Sequence, residues 1–286
     1  MDLNFPEMPL PQTPHLESPK WNILEVTRVG SVSRVTQNKS RNPLKILDLK
    51  PVQGVAHVVL SNYGGGLVQG DSVFLRILCR KGSSAFLTSQ SYNKVFKNPS
   101  RKETKQTLHG ILESGASLIA FPDPLVLQKD SLFVQKQHWE LGTESHLLLL
   151  DWVFMGRTAL KENFLFESYD SEIRFTQTNK TLMLDRFSFS PRVHSPTSPA
   201  YFGPFLMMLN VYAFGTAFQT LLPDLFEKEI LKHQACPSAL IPIGSVGSCL
   251  RALGKRRSDF DPWLKVLFSH LKKSPFLGFN PLERKH

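Results

Sequence analysis

Residues 64–71 read Gly-Gly-Gly-Leu-Val-Gln-Gly-Asp, and no other stretch narrows the choice of fold so far. Four glycines within seven residues mark backbone that takes positive φ or lies too close to another segment for a Cβ. Directly after, Val73, Leu75, Ile77 and Cys79 share one face of a period-two run, and Phe74, Arg76, Leu78 and Arg80 share the other. The loop therefore feeds a β-strand. A phosphate cradle needs a helix opening after the loop, and in the P-loop case a closing Lys-Ser/Thr pair. Here strand follows instead, and Gly70 is succeeded by Asp71, whose carboxylate repels phosphate. On the residues alone, this is a tight glycine corner in a β protein.

The β character continues on both sides of the corner. Strands are expected within 23–35, 43–49 and 57–60, and again at 73–79, 85–89, 104–112 and 116–121. Further strands are expected at 131–139, 146–154, 164–166, 172–175 and 181–189. The faces of 131–139 alternate too impurely to name a buried side, whereas the continuous Leu147–Leu150 followed by Trp152 predicts a strand covered on both faces. Short strands separated by turns argue for a sandwich, a barrel or a β-solenoid, and periodicity does not separate these. A Pro-rich connector at 190–204 precedes an apolar run, Phe205–Leu222, where Pro204 is placed to open a helix. Its Asn210, Thr216, Gln219 and Thr220 and the absence of a basic flank favour a helix buried in protein over a membrane span. A second helix is expected from Asp261, with Pro262 in first position, Trp263, Leu264, Leu267 and Leu271 on one face, and Lys265 and Lys272 facing solvent.

The organisation expected is a loosely ordered arm over 1–22 and one domain over 23–286: a mainly β body to about 190, the connector, and a helix-containing part over 205–286. The arm carries acids and five prolines in place of a basic start and an apolar core, so it does not read as a signal peptide. Cys79, Cys236 and Cys249 are widely spaced and form no CxxC, which suits a reducing compartment. The net charge of +10 permits nucleic acid, an anionic surface or an acidic protein as partner. Its denser patches are Lys94–Lys105, Lys255–Arg257 and Arg284-Lys285, and aromatics do not interleave with them as on a single-strand stacking platform. With 21 Phe, the chain has aromatics for a dry core or a large apolar interface, and the run at 205–222 predicts a subunit that aggregates alone.

Catalytic machinery is not apparent. Gly244-Ser245-Val246-Gly247 lacks the glycine two residues before serine of a nucleophile elbow, and the scattered histidines form no HxH or HExxH. What the motifs do contain is oxygen: Asp71, Thr88, Ser89, Asp123, Asp151 and Glu162. Each suits a turn or strand end that bonds local backbone.

Four ordered blocks resemble one known family. They are GGGLVQGDS with Gly65, Gly66 and Gly70; LTSQSYNKVF at 87–96 with Lys94; Phe121-Pro122-Asp123-Pro124 with Ser131 and Gln135 downstream; and Leu150-Asp151-Trp152 leading to Gly156-Arg157 and Glu162. Together they are similar to the urease accessory protein D family, UreD, also called UreH. The match is good over about 55–190 and thinner beyond, at Asn210–Ala213 and Leu250-Arg251. Ser89 stands where the family has a second Thr, Phe96 replaces Tyr, and Lys161 occupies a position that is commonly Gly.

The resemblance implies an irregular β-helix-like body with a few helices, and a cytoplasmic, non-enzymatic maturation factor. Such a factor acts on urease apoprotein with a second accessory protein, UreF, and a nickel-carrying GTPase, UreG, with no tightly bound cofactor and nickel in transit. Asp71, Thr88, Ser89 and Asp151 are then candidates to line a nickel passage, while Lys94, Gly156 and Arg157 hold the fold or an interface. The alternatives are a β-rich module for an anionic ligand, nucleic acid or carbohydrate, and an uncharacterised hydrolase.

Overall fold

The computed structural model describes residues 20–231, 236–272, 277 and 279–284. Four strands precede the glycine corner: Trp21–Val29 (β1), Val32–Lys39 (β2), Leu44–Val52 (β3) and Val55–Asn62 (β4). From the corner onward come Gly66–Leu67 (β5), Ser72–Cys79 (β6), Ser84–Ser89 (β7), Asn93–Val95 (β8) and Thr104–Leu112 (β9). Ser117–Phe121 (β10), Leu125–Leu127 (β11), Leu132–Leu141 (β12), His146–Phe154 (β13), Gly156–Arg157 (β14) and Glu162–Asn163 (β15) follow. The series ends with Ser168–Gln177 (β16), Lys180–Phe189 (β17), Met207–Phe214 (β18), Ser238–Ile243 (β19) and Gly247–Gly254 (β20). Two α-helices, Leu221–Leu225 (α1) and Asp261–Lys272 (α2), lie in the C-terminal third.

The chain shuttles between two large sheets. In the first, β1, β6, β9, β12 and β16 are parallel neighbours, with β2 and β17 antiparallel at the two edges. In the second, β4, β7, β10 and β13 are parallel, with β3 antiparallel beyond β4 and β18, β20 and β19 antiparallel beyond β13. The short strands β5, β8 and β11 stack in parallel at the bend between them. Each circuit is thus a long strand, a short one and a long one: β4–β5–β6, then β7–β8–β9, then β10–β11–β12. The last runs from β13 to β16 with the β14–β15 hairpin in place of the short strand. This is an irregular β-solenoid, the β-helix-like body that the motif blocks implied.

Burial explains the sequence patterns. Val58, Leu87, Ala120 and Leu149 occupy successive circuits in register and all face the space between the sheets. On the far side of the second sheet, Phe86, Ile119, Leu148 and Leu150 pack under Trp263, Leu264, Leu267, Phe268 and Leu271 of α2. β13 is therefore apolar at nearly every position because both its faces are covered. The first sheet has only its inner face buried. In β12, Phe133, Gln135, Gln137 and Trp139 point inward, while Leu132, Val134, Lys136 and His138 are half-exposed, which resolves the ambiguous alternation. α2 starts at Asp261 with Pro262 in its first turn and leaves Lys265 and Lys272 exposed, as expected.

Three expectations require correction. Phe205–Leu222 is not a helix: Met207–Phe214 is the strand β18, buried at every position between β13 and β20, and a doubly covered strand shows no alternation to distinguish it from a buried helix. Gly215, at φ +96°, ends that strand, and a Cβ there would strike the Ser145 carbonyl. Because Met207–Phe214 is interior, that stretch offers no apolar interface. Phe164–Phe166 is not a strand either; Phe164 has φ +55°, and its ring joins those of Phe166, Phe189 and Phe202 at the connector. Of the arm expected over 1–22, residues 1–19 lie outside the described residues, while Trp21 and Asn22 open β1 and are buried. Lys285 of the basic tail also lies outside them.

At the glycine corner, Gly70 adopts φ +82°, a region that favours glycine. Gly66 is needed for contact: it pairs with Lys94 across β5 and β8, a Cβ would collide with the Lys94 carbonyl, and it would stand 2.9 Å from the Phe96 ring. The corner therefore locks β5 onto β8.

Candidate polar passage between the sheets

Two rows of polar side chains face each other across an otherwise apolar interior. On the first sheet, Gln106, Gln135 and Ser171 are register partners on β9, β12 and β16, and the apolar Val73 on β6 ends the row. On the second, Asp151, Asn210 and Arg251 are partners on β13, β18 and β20, and Ser89 closes β7 nearer the glycine corner. Buried amides and carboxylates need partners, and these rows supply them to one another.

The row begins at a cavity of about 80 Å³ beside the glycine corner, lined by Asn62, Gly65, Ser89, Asn93, Gln106 and Asp123 among others. Ser89 Oγ donates to Asp123 Oδ2 at 3.0 Å and accepts from the Asp123 amide at 2.6 Å, which ties two motif blocks directly. Asn62 Nδ2 donates to Asn93 Oδ1, whereas the buried Asn62 Oδ1 has no hydrogen-bond partner. Gln106 borders this cavity, and its register partner Gln135 reaches Asp151.

Asp151 is the central charge. Gln135 Nε2 donates to its Oδ1 at 2.8 Å and Gln137 Nε2 at 3.3 Å, and Trp139 Nε1 donates to Gln137 Oε1 at 3.0 Å. Burial pushes the Asp151 carboxyl up to about 6; bonds from Gln135 and Asn210 oppose the shift, and the nearby Asp185 carboxylate adds to it. Asp185 accepts from Tyr212 Oη at 2.6 Å and from the Arg251 guanidinium, whose Nε donates to Asn210 Oδ1 at 2.9 Å. Arg251 is about a third exposed, so the row reaches the surface at this end.

The structure sorts the expected residues. Ser89, Asp123, Pro122 and Gly65 border the cavity, and Asp151 lies further along the same interior. Asp71 caps its own turn, accepting from the Val68 amide at 2.8 Å. Thr88 lies on the helix-covered face of β7, where its hydroxyl donates to the Phe121 carbonyl at 2.8 Å. Pro122 contributes its carbonyl to Trp152 Nε1 at 2.8 Å, fastening one circuit to the next. Lys94 is exposed on β8. Gly156, at φ +130°, leaves no room for a Cβ against the Glu162 carbonyl, and Arg157 Nε donates to Glu162 Oε2 at 2.7 Å across the β14–β15 hairpin. Gln106, Gln137, Asn210, Asp185 and Arg251 were missed as interior polar groups; Gln135 and the Asn210 and Arg251 blocks carried a motif signal without a role.

Comparison with known proteins points to the same family as the motif blocks. A family model described as UreD urease accessory protein matches residues 22–284. The chain belongs to the UreD urease accessory protein family. A UreD from Cytophaga hutchinsonii is 30% identical over 93% of this chain and 98% of its own length. One from Sorangium cellulosum is 31% identical over 92% of this chain and 83% of its own. Urease accessory protein D of Arabidopsis thaliana is 37% identical over 51% of each chain. Two family departures gain a physical account in this UreD member. The Phe96 ring seals the Gly66 approach and needs no hydroxyl, and Lys161 holds φ +58° where glycine would be unstrained.

Proposed function

We propose that this chain supports assembly of the dinuclear nickel centre of urease as a non-enzymatic, cytoplasmic scaffold, docking on the apoprotein together with UreF and the nickel-carrying GTPase UreG. Nickel is the cargo, and the polar row from Ser89 and Asp123 past Gln106 and Gln135 to Asp151 and Arg251 is its route. Family membership supports the urease role; the row of facing polar side chains inside an apolar solenoid carries the route.

The donors suit transit. Carboxylate, hydroxyl and amide oxygens hold a borderline ion such as nickel less firmly than imidazole or thiolate would, and conduction needs sites weak enough to release. The three cysteines add no thiolate: burial pushes Cys79 and Cys249 up to about 12 and Cys236 to about 11. Asp151, with its charge poorly compensated by its surroundings, gains from a passing cation. At the far end Arg251, held by Asp185 and Asn210, is a positive charge that a cation leaving Asp151 must bypass. Movement past Gln106 and Gln135 requires their side chains to swing aside.

The test has two parts. Deleting the gene is expected to abolish urease activation at limiting nickel and to spare part of it at excess nickel; normal activation at limiting nickel overturns the accessory role. Asp151→Ala and Gln135→Leu, in complexes shown to assemble, are expected to cut nickel loading of urease several-fold. Unchanged loading overturns the route while leaving the scaffold role standing.

A further inference from the structure

On the outer face of the first sheet, away from the passage, the circuit register assembles three side chains with metal-ligand chemistry. His109 on β9 and His138 on β12 are register partners, and Glu140 lies two residues beyond His138 on the same face. One ligand atom from each falls within 4.8 Å of the others. His109 Nε2 is 2.6 Å from Glu140 Oε1, and His138 Nδ1 is 4.0 Å from the same oxygen. The two rings stack with centroids 5.3 Å apart.

We propose that His109, His138 and Glu140 form a binding site for a borderline divalent transition-metal ion such as Zn²⁺ or Ni²⁺. Two imidazole nitrogens with one carboxylate suit these ions and disfavour Mg²⁺ and Ca²⁺, which prefer all-oxygen shells. The support is rigid, because the ligands stand on adjacent paired strands. His138 is also oriented from behind: its Nε2 contacts Thr176 Oγ1 at 3.0 Å on β16, the register partner of Glu140. Such outer contacts fix which nitrogen faces the ion. An ion at ~2.1 Å from each donor separates the donors by ~3 Å, so loading opens the His109–Glu140 contact slightly and draws His138 inward.

Three protein ligands leave coordination positions open on a half-exposed face, so the ion is exchangeable. Arg76 and Arg174 flank the pair in register with His109 and His138. Their charge weakens cation affinity, which makes this a labile station and not a structural clamp. The site stands on its own ligands and does not depend on the urease reading.

The experiment uses the full chain, free of any histidine tag and stripped of metal, titrated calorimetrically with Zn²⁺ alone and with Ni²⁺ alone. One equivalent is expected to bind, and His138→Ala and Glu140→Gln are each expected to weaken it at least tenfold with the circular dichroism spectrum unchanged. His270→Ala, on the exposed side of α2 and away from this sheet, serves as the control and is expected to keep this equivalent. No binding by the wild-type chain, or equal affinity in His138→Ala and Glu140→Gln, overturns the site. Neither result bears on urease activation, which is measured separately.

Discussion

The two sheets are built from the same circuits yet obey different rules. The second is sandwiched between the interior and α2, so its central strands β13 and β18 are apolar on both faces; the first has one face in water and alternates. Alternation in this molecule reports whether a layer lies outside a strand, more than it reports the strand itself. The same difference separates two kinds of polar group. Between the sheets, amides and carboxylates satisfy one another away from water, whereas on the open face His138 and Glu140 are half-exposed beside the largely buried His109.

The contrast is most directly broken by truncation. Leu148→Ala, under α2, is expected to cost ~3 kcal/mol, and Val134→Ala on the open face less than ~1 kcal/mol. Urea denaturation midpoints measure both, and equal losses would mean that the helical layer contributes little. Asp151→Asn probes the interior charge. Burial pushes the folded carboxyl up to about 6, above the ordinary aspartate value of about 3.9, so ionisation is disfavoured in the fold, and the stability cost accrues as pH rises between those values and is complete above them. The substitution is therefore expected to stabilise the protein by ~2 kcal/mol at pH 8 and by nothing measurable near pH 4. A pH-independent effect would contradict the buried-charge account.

Smaller effects belong to the surface turns. Lys161→Gly is expected to raise stability by ~1 kcal/mol by relieving its left-handed backbone, read as a higher melting temperature. Least of all, Arg157→Gln at the exposed β14–β15 hairpin should lower the melting temperature slightly at low salt and not at 1 M salt, because exposed pairs are screened. A large, salt-independent loss would show that Arg157 anchors the fold.

Local patterns carried most of the architecture. Thr104–Leu112 and His146–Phe154 are strands over the bounds expected, and α2 begins where Asp261 and Pro262 placed it. β18 escaped because its partners on both sides lie far away in sequence, so nothing local distinguishes it from a helix. The site was legible in pieces. Ser89 and Asp123 meet because Ser89 ends β7 and Asp123 follows β10, its parallel neighbour, and the motif blocks had marked both. Gln106, Gln137 and Asp185 had no local signal, since only the stacking of circuits turns them toward Asp151. His109 and His138 likewise become neighbours only through register; an HxE on one strand was the sole hint.

The four outermost strands, β2, β3, β17 and β19, all run against their neighbours. Each carries residues that discourage a further partner: Arg34 and Lys39, Lys45 and Lys50, Lys180 and Arg186, and Pro242. A stack of parallel circuits left open would template fibres by adding copies end to end. These reversed, charged or proline-bearing margins terminate growth in both directions, so the molecule's length is set at its ends, and variation among relatives is expected in the bends instead.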